Sequence, residues 1–234
     1  MTDTQLIKFS KKGNFENFKT FIENNKPNLN FKDDDGNTSL NLICRQQSIH
    51  NPDLIEMVKF LIKNKADVEV LDKEGNTALI IASQHDNKEI IKTLVCLGKS
   101  DVNAETKDGE TPFSYATSYH RTDNFEIAKM LIEHGSDVNA KTYSEGLTPL
   151  MKACRNNNKL NLEMVKFLVQ ECKVNLDIKD IHGNTALYYA NQTRLPEMIK
   201  LVTKEEENPL TIISIKDKII TVKMNEGYTI AFVR

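Results

Sequence analysis

The chain has 234 residues, of which 39% are hydrophobic, so it can form one large domain or a stack of smaller units. Its 31 basic and 33 acidic residues give a net charge of −2, which argues against nucleic acid or an anionic membrane as partner. No stretch approaches the ~20 apolar residues of a membrane span. No secretory signal or disulfide pattern is present, so we expect reduced cysteines and a cytoplasmic protein, with the nucleus as the alternative.

The first predicted element precedes a repeated motif. Within residues 6–33, Phe15, Phe18, Phe21 and Ile22 have the spacing of a helix with one apolar face. We therefore predict a helical unit that packs against the segment following it.

A glycine turn then recurs five times. Its copies are DDDGNTSL at 33–40, DKEGNTAL at 72–79, TKDGETPF at 106–113, YSEGLTPL at 143–150 and DIHGNTAL at 180–187. Glycine permits the positive φ of a tight turn, and the threonine two residues later is suited to cap a helix. Each turn therefore predicts the start of a short helix.

A second motif follows every turn. Its copies are EMVKFLIK at 56–63, EIIKTLVC at 89–96, EIAKMLIE at 126–133, EMVKFLVQ at 163–170 and EMIKLVTK at 197–204. The glutamate suits the first turn of a helix, and the lysine three residues later can pair with it. Because the apolar stripe is wider than one partner helix needs, we expect successive copies to stack.

These paired motifs resemble the ankyrin repeat, most clearly in DGETPF at 108–113 and FEIAKMLIEHGSDVNAKT at 125–142. The resemblance implies an all-α repeat solenoid with hairpin fingers. It implies an N-terminal capping unit at 3–34 and five repeats within 35–207, beginning near residues 34, 73, 107, 144 and 181. It also implies a non-enzymatic module that binds a protein partner on its concave face.

The C-terminal segment, residues 208–234, has a different composition. LTIISI at 210–215, KIITVKM at 218–224 and YTIAFVR at 228–234 are rich in β-branched and aromatic residues. We predict a short β-rich tail of two or three antiparallel strands. Two roles are open: a cap on the last repeat, which we favour, or an edge to which another chain adds a strand.

No pattern in the chain predicts a catalytic, metal or cofactor site. The five histidines are scattered without zinc spacing, and each glycine of the turns stands alone rather than in a phosphate-binding loop. Cys44 and Cys154 follow their turns at equivalent places and are interpreted as core residues.

Candidate contact residues are those that the fold does not need: the pair before each glycine, the residue after it, and two late positions of the first helix. In the first two repeats these include Asn37 and Asn76. Later in the chain they become less polar, and we predict a contact patch there because exposed apolar side chains, tyrosine and arginine favour binding. Its members are Tyr119, Tyr143, Leu147, Arg155, Ile181 and His182.

Three uses of such a surface remain open. The leading one is an adaptor, either monomeric or within a hetero-complex. The second is a structural subunit that docks through the C-terminal strands and the insertion at 45–55. The third is an inhibitor that covers the active site of a partner enzyme.

Overall fold

The computed structural model describes residues 2–46, 51–118, 124–155, 159–193, 195–203, 211–216, 219–223 and 229–233. Only the backbone is described for residues 124, 159 and 160 and for the strands.

The helices form successive pairs along the chain. Within each pair, the helix that comes earlier in the sequence is called the first helix and the later one the second helix. The pairs in chain order are α1 (Thr2–Lys12) with α2 (Phe15–Asn25), α3 (Ser39–Cys44) with α4 (Asp53–Lys63), α5 (Ala78–Gln84) with α6 (Lys88–Cys96), α7 (Pro112–Ser118) with α8 (Asn124–Glu133), α9 (Pro149–Arg155) with α10 (Lys159–Gln170), and α11 (Ala186–Thr193) with α12 (Pro196–Val202). First helices contact first helices and second helices contact second helices along the stack. This arrangement is the predicted helical solenoid.

Threonine side chains cap α3, α5, α7 and α9, as the turn motif predicts. The hydroxyl oxygen of Thr38 accepts a hydrogen bond from the backbone N–H of Asn41 at 3.2 Å, and Thr111 does the same for Ser114 at 3.1 Å. Thr77 and Thr148 make the equivalent bonds. Each cap satisfies an N–H group that has no partner inside its helix, which fixes where the helix begins.

The core runs without interruption through the whole stack. Phe18 of the first pair, Phe113 of α7 and Met198 of α12 are all fully buried within one continuous cluster. Cys44 and Cys154 are also buried, which confirms their interpretation as core residues. A single pair could not enclose such a core, so neighbouring pairs stabilise one another.

Polar groups also join successive repeats. The side-chain amide of Asn41 donates to the carbonyl of Val70 in the next repeat at 3.2 Å. In the outer loops, side-chain oxygens accept from a backbone N–H one repeat later. These bonds are Asn30 from Asp67 at 2.9 Å, Glu69 from Asp101 at 3.0 Å, Asn103 from Asp137 at 2.8 Å and Asn139 from Asn175 at 3.0 Å. This ladder holds each repeat at a fixed distance from the next.

The second helices carry the predicted glutamate–lysine pairs on their exposed side. Lys59 lies 2.8 Å from Glu56, and Lys166 lies 2.9 Å from Glu163. Lys166 also reaches Glu197 of the next repeat at 3.0 Å. Because these groups are exposed, each pair contributes at most ~1 kcal/mol.

Three strands follow the helices: β1 (Thr211–Lys216), β2 (Ile219–Lys223) and β3 (Thr229–Val233). They form an antiparallel sheet in the order β1-β2-β3, with a register irregularity between Ile212 and Ser214. Whether this segment caps the solenoid or docks another chain stays a prediction.

Candidate protein-binding surface

Five hairpin tips, here called fingers one to five, precede the first helices of the repeats. They comprise residues 33–37, 72–76, 106–110, 142–147 and 180–184. The first residue of a finger closes it: the carboxylate of Asp33 accepts from the N–H of Asn37 at 2.8 Å and of Asp35 at 3.0 Å. In finger three the Thr106 hydroxyl does the same for Glu110 and Asp108. Each finger is therefore shaped before any partner arrives.

The second residue of a finger, here called the lead residue, lies over the glycine of the finger before it. The backbone N–H of Tyr143 donates to the carbonyl of Asp108 at 2.8 Å, and that of Ile181 donates to Glu145 at 3.1 Å. A methyl group placed on Gly146 would lie 3.1 Å from the Ile181 nitrogen, and φ at Gly146 is +69°. Glycine is thus required at position 146 for two reasons. It adopts the positive φ without strain, and its lack of a side chain lets the backbone of the next finger approach.

The chemistry of the lead residue changes along the stack. Fingers two and three carry Lys73 and Lys107, whereas fingers four and five carry Tyr143 and Ile181. Tyr143 is 63% exposed and Ile181 is 60% exposed. The Tyr143 hydroxyl bonds the carboxylate of Glu105, and this hydrogen bond raises the pKa of the tyrosine. Fingers four and five therefore present adjacent apolar surface.

Charged side chains of the first helices border the fingers. Arg45 pairs at 2.7 Å with Asp72, whose side chain is buried, so this pair belongs to the scaffold. Lys152 pairs with Glu110 where both side chains are mostly covered. Arg155 pairs at 3.0 Å with Glu145, and both side chains are more than half exposed. Among these three pairs, only the last leaves its cation open to a partner.

The structure brings together four of the six predicted contact residues. Tyr143, Ile181 and His182 are exposed on fingers four and five, and Arg155 lies at the end of α9 and is joined to finger four through Glu145. Tyr119 lies outside the described residues.

The prediction that Leu147 is exposed is wrong. Leu147 is 3% exposed and belongs to the hydrophobic core. The residue after the glycine belongs to the closed finger: the N–H of Leu147 donates to the Thr142 hydroxyl and its carbonyl accepts from the Thr142 N–H, and the side chain lies in the core. Finger four is one residue longer than finger two, in which the N–H of Asp72 donates to the carbonyl of Asn76. Asn37 and Asn76 are buried as well, since their amides bond Asp33 and Asp72. In fingers one, two and four the residue after the glycine therefore faces inward.

The sequence reasoning missed Tyr188, which is 47% exposed. Its equivalents in the other repeats, Asn41, Ile80, Ser114 and Met151, are all buried. The signal was available, because Tyr188 belongs to the last copy of the repeat and has no sixth copy to cover it.

Finger five begins at Asp180, whose pKa is shifted together with that of its hydrogen-bond partner Tyr189. Burial and a hydrogen bond to Asp180 raise the pKa of Tyr189 to about 12. Burial acts to raise the pKa of Asp180, but hydrogen bonds from Tyr189, Asn184 and His182 outweigh it and lower that pKa to about 2. Asp180 is therefore ionised at neutral pH and holds the finger closed.

The described part of the chain contains no group of three or more His, Cys, Asp or Glu residues placed to hold a metal ion. Within the same part, no helix has the length and apolar character needed to cross a membrane.

The family model for ankyrin repeats matches residues 46–142 and 140–212. This chain belongs to the ankyrin-repeat family. Ankyrin repeats are in general protein–protein interaction modules, and the related ankyrin-repeat proteins are in general non-enzymatic.

A putative ankyrin repeat protein of Acanthamoeba polyphaga mimivirus is 27% identical over 202 residues, which cover 84% of this chain and 25% of that protein. The mouse B-cell lymphoma 3 protein homolog is 27% identical over 154 residues, covering 64% of this chain and 33% of the relative. The chain thus spans a third or less of these curated relatives.

Solved structures share the fold over most of both chains. The ankyrin repeat protein EF0377 has a TM-score of 0.72 at 28% identity, covering 84% of this ankyrin-repeat chain and 95% of its own. The ankyrin repeat domain of Bcl-3, described as a unique member of the IkappaB protein family, has a TM-score of 0.71 at 25% identity, covering 84% and 83%. These comparisons support the helical solenoid and give no support to the β-rich tail as part of the fold class.

Proposed function

We propose that this ankyrin-repeat chain is a non-catalytic adaptor that binds a protein partner on the surface formed by Tyr143, Ile181, His182 and Arg155. Membership of a family of interaction modules supports binding in general. The replacement of lysine by Tyr143 and Ile181 at the lead position supports fingers four and five as the binding surface.

The observation that carries the proposal is the exposure of Tyr143 and Ile181 where Lys73 and Lys107 stand in earlier fingers. A lysine satisfies the fold at this position, because in finger three the aliphatic part of Lys107 lies over Gly75, within 3.9 Å of a methyl group placed there. Two adjacent apolar replacements that the fold does not require form a surface suited to burial against another chain.

The surface is also rigid, which lowers the entropic cost of binding. Tyr143 is held by its backbone bond to Asp108 and by its hydroxyl bond to Glu105. Tyrosine and arginine are enriched among residues that dominate binding energy, and a preordered side chain loses less freedom on association. Tyr143 is therefore the expected anchor, with Ile181 beside it and Arg155 at the border.

The test exchanges lead residues between fingers. In the double variant Tyr143→Lys with Ile181→Lys, both fingers carry the residue that fingers two and three already accommodate. The variant should fold normally and bind the partner, isolated by affinity purification with the intact chain, at least tenfold more weakly by calorimetry. That loss corresponds to about 1.4 kcal/mol.

The matched control is Lys73→Ala with Lys107→Ala, which changes the same finger position elsewhere in the stack. Its affinity should stay within about twofold, roughly 0.4 kcal/mol, of the unmodified chain. Equal affinities of both double variants, or a larger loss in the control, would place the binding surface outside fingers four and five.

A further inference from the structure

A groove with apolar lining runs between α2 and α4, the second helices of the first two pairs. Two cavities of about 360 and 470 Å³ make up this groove and share Glu23 as a lining residue. Phe15 and Phe60 line one cavity, where their rings meet edge to face with centroids 6.0 Å apart. Pro27 and Leu29 line the other cavity. Half-buried apolar side chains between two helices form a surface on which a third helix can pack.

The walls of this α2–α4 groove are ordered, and they are long enough for a helix. The backbone N–H of Phe15, at the start of α2, donates to the Asp53 carboxylate at the start of α4 at 3.1 Å. Lining residues of the α2 wall run from Phe15 to Lys26, which is about 16 Å or three helical turns. Because the backbone groups of a helix bond within the helix, an extended segment would gain no backbone hydrogen bonds along these walls.

The charged side chains of the α2–α4 groove are mainly basic. Four lysines and two glutamates line its two cavities. Lys59 pairs with Glu56 at 2.8 Å within α4. Within the described residues, the side chains of Lys19, Lys26 and Lys63 form no ion pair. Three lysines therefore face one remaining glutamate, which favours an acidic occupant.

Later second helices are joined by ion pairs at the place that Lys19 occupies in α2. Lys92 of α6 lies 2.7 Å from Glu126 of α8, and Lys166 of α10 lies 3.0 Å from Glu197 of α12. Lys19 also follows a glutamate by three residues, but it makes no such bridge to the described part of α4. Its ammonium group is therefore available to a carboxylate from outside the chain.

We propose that the α2–α4 groove binds an acidic amphipathic helix of a protein partner. The apolar stripe of that helix packs on Phe15 and Phe60, and its flanking carboxylates pair with the unpaired lysines of the groove. The net charge of −2 on the whole chain argues against an anionic membrane or nucleic acid as the occupant. The groove belongs to the first two helix pairs, so it is a second site, separate from fingers four and five.

The probe is a synthetic helical peptide of about 14 residues, with leucines and one tryptophan along one stripe and glutamates on both flanks. The chain contains no tryptophan, so the emission of the peptide reports binding without background. Titration with the full chain should shift the emission to the blue and saturate with a Kd below ~100 μM. Raising the salt from ~50 to ~500 mM should weaken binding severalfold, because salt screens the ion pairs.

The double variant Lys19→Glu with Lys63→Glu should weaken binding of the acidic peptide about tenfold or more. The matched control is Lys99→Glu with Lys173→Glu, which changes the net charge equally at exposed lysines that follow α6 and α10. Its affinity should stay within about twofold of the unmodified chain. Circular dichroism should show the same helix content in both variants, since none of these lysines is buried.

Three results would overturn the proposal: no saturable binding up to ~1 mM peptide, equal losses in the two double variants, or equal binding of a peptide with lysines in place of glutamates. Binding of the chain to phosphatidylserine vesicles through Lys19 and Lys63, without binding of the peptide, would overturn it as well. Tyr143→Lys with Ile181→Lys should bind the peptide as the unmodified chain does. Failure at this groove is thereby distinguished from failure at fingers four and five.

Discussion

Fingers two and three place their lead residues in the same way as fingers four and five, but the side chains at that position differ. In all four the lead residue lies over the preceding glycine. All four lead residues are exposed, but Lys73 and Lys107 are charged, whereas Tyr143 and Ile181 present mainly apolar surface. The scaffold thus sets where a lead residue lies, and the side chain at that place is free to vary.

The same comparison separates residues of the scaffold from residues of the surface. The residue after the glycine is buried whether it is Asn76 in finger two or Leu147 in finger four. The closing residue is also interchangeable, since Asp72 and Thr106 both accept backbone N–H groups across their fingers. Binding specificity in this chain is therefore expected at the lead residues and at the ends of the first helices.

The largest effect is expected when finger four is given the polar residue of finger two. Leu147→Asn removes a core side chain and buries an amide in a finger whose closing residue is Thr142 rather than an aspartate. The free energy of unfolding should fall by about 3 kcal/mol, measured by urea denaturation. A loss below ~0.5 kcal/mol, typical of surface positions, would return Leu147 to the contact surface.

A smaller loss of stability is expected from replacing a finger glycine by alanine, and it should be larger in finger four than in finger five. Gly146→Ala and Gly183→Ala both place alanine at positive φ, which costs roughly 1–2 kcal/mol in each case. Gly146→Ala should cost about 1 kcal/mol more, because its methyl group meets the backbone nitrogen and side chain of Ile181. Equal losses in thermal or urea denaturation would show that the fingers do not approach each other as closely as the structure indicates.

The smallest effect concerns acid stability. The pKa of Asp180 is lowered to about 2, below the ~3.9 of an unfolded chain. Its contribution to stability is therefore complete above pH ~4 and is lost as the pH falls towards 2. Finger four, closed by Thr142, should lack this dependence.

Carboxyl chemical shifts followed by NMR would give the Asp180 titration directly, and amide exchange would compare fingers four and five. Asp180→Asn should remove the acid dependence of finger five. A carboxyl shift that titrates near the ordinary pKa of ~3.9 would contradict the hydrogen-bond network around Asp180.

Much of the scaffold could be predicted from the sequence because its determinants are local. The threonine caps and the glutamate–lysine pairs depend on residues three apart, and the structure confirms both. The burial of Leu147 depends on the hydrogen bonds that close finger four across five residues, and the turn motif alone does not show them. The bond from Asn41 to Val70 joins two repeats and has no short-range sequence pattern.

The sequence predicts the contact patch only through the change from polar to apolar residues at equivalent positions of successive fingers. Tyr143 and Ile181 stand out because they interrupt a polar position, but their exposure depends on where the preceding glycine places them. Tyr188 required knowing which repeat is last in the described stack. Surface properties of this kind arise from neighbours one repeat away, beyond the reach of a local motif.

Hydrogen exchange of the purified complex with its protein partner tests the central proposal most directly. Binding at fingers four and five should slow exchange of the backbone amides at residues 143–146 and 181–183, while the second helices α4 and α6 exchange as in the free chain. Protection confined to α4 and α6, with fingers four and five unchanged, would contradict the proposal and place the partner on the opposite side of the solenoid.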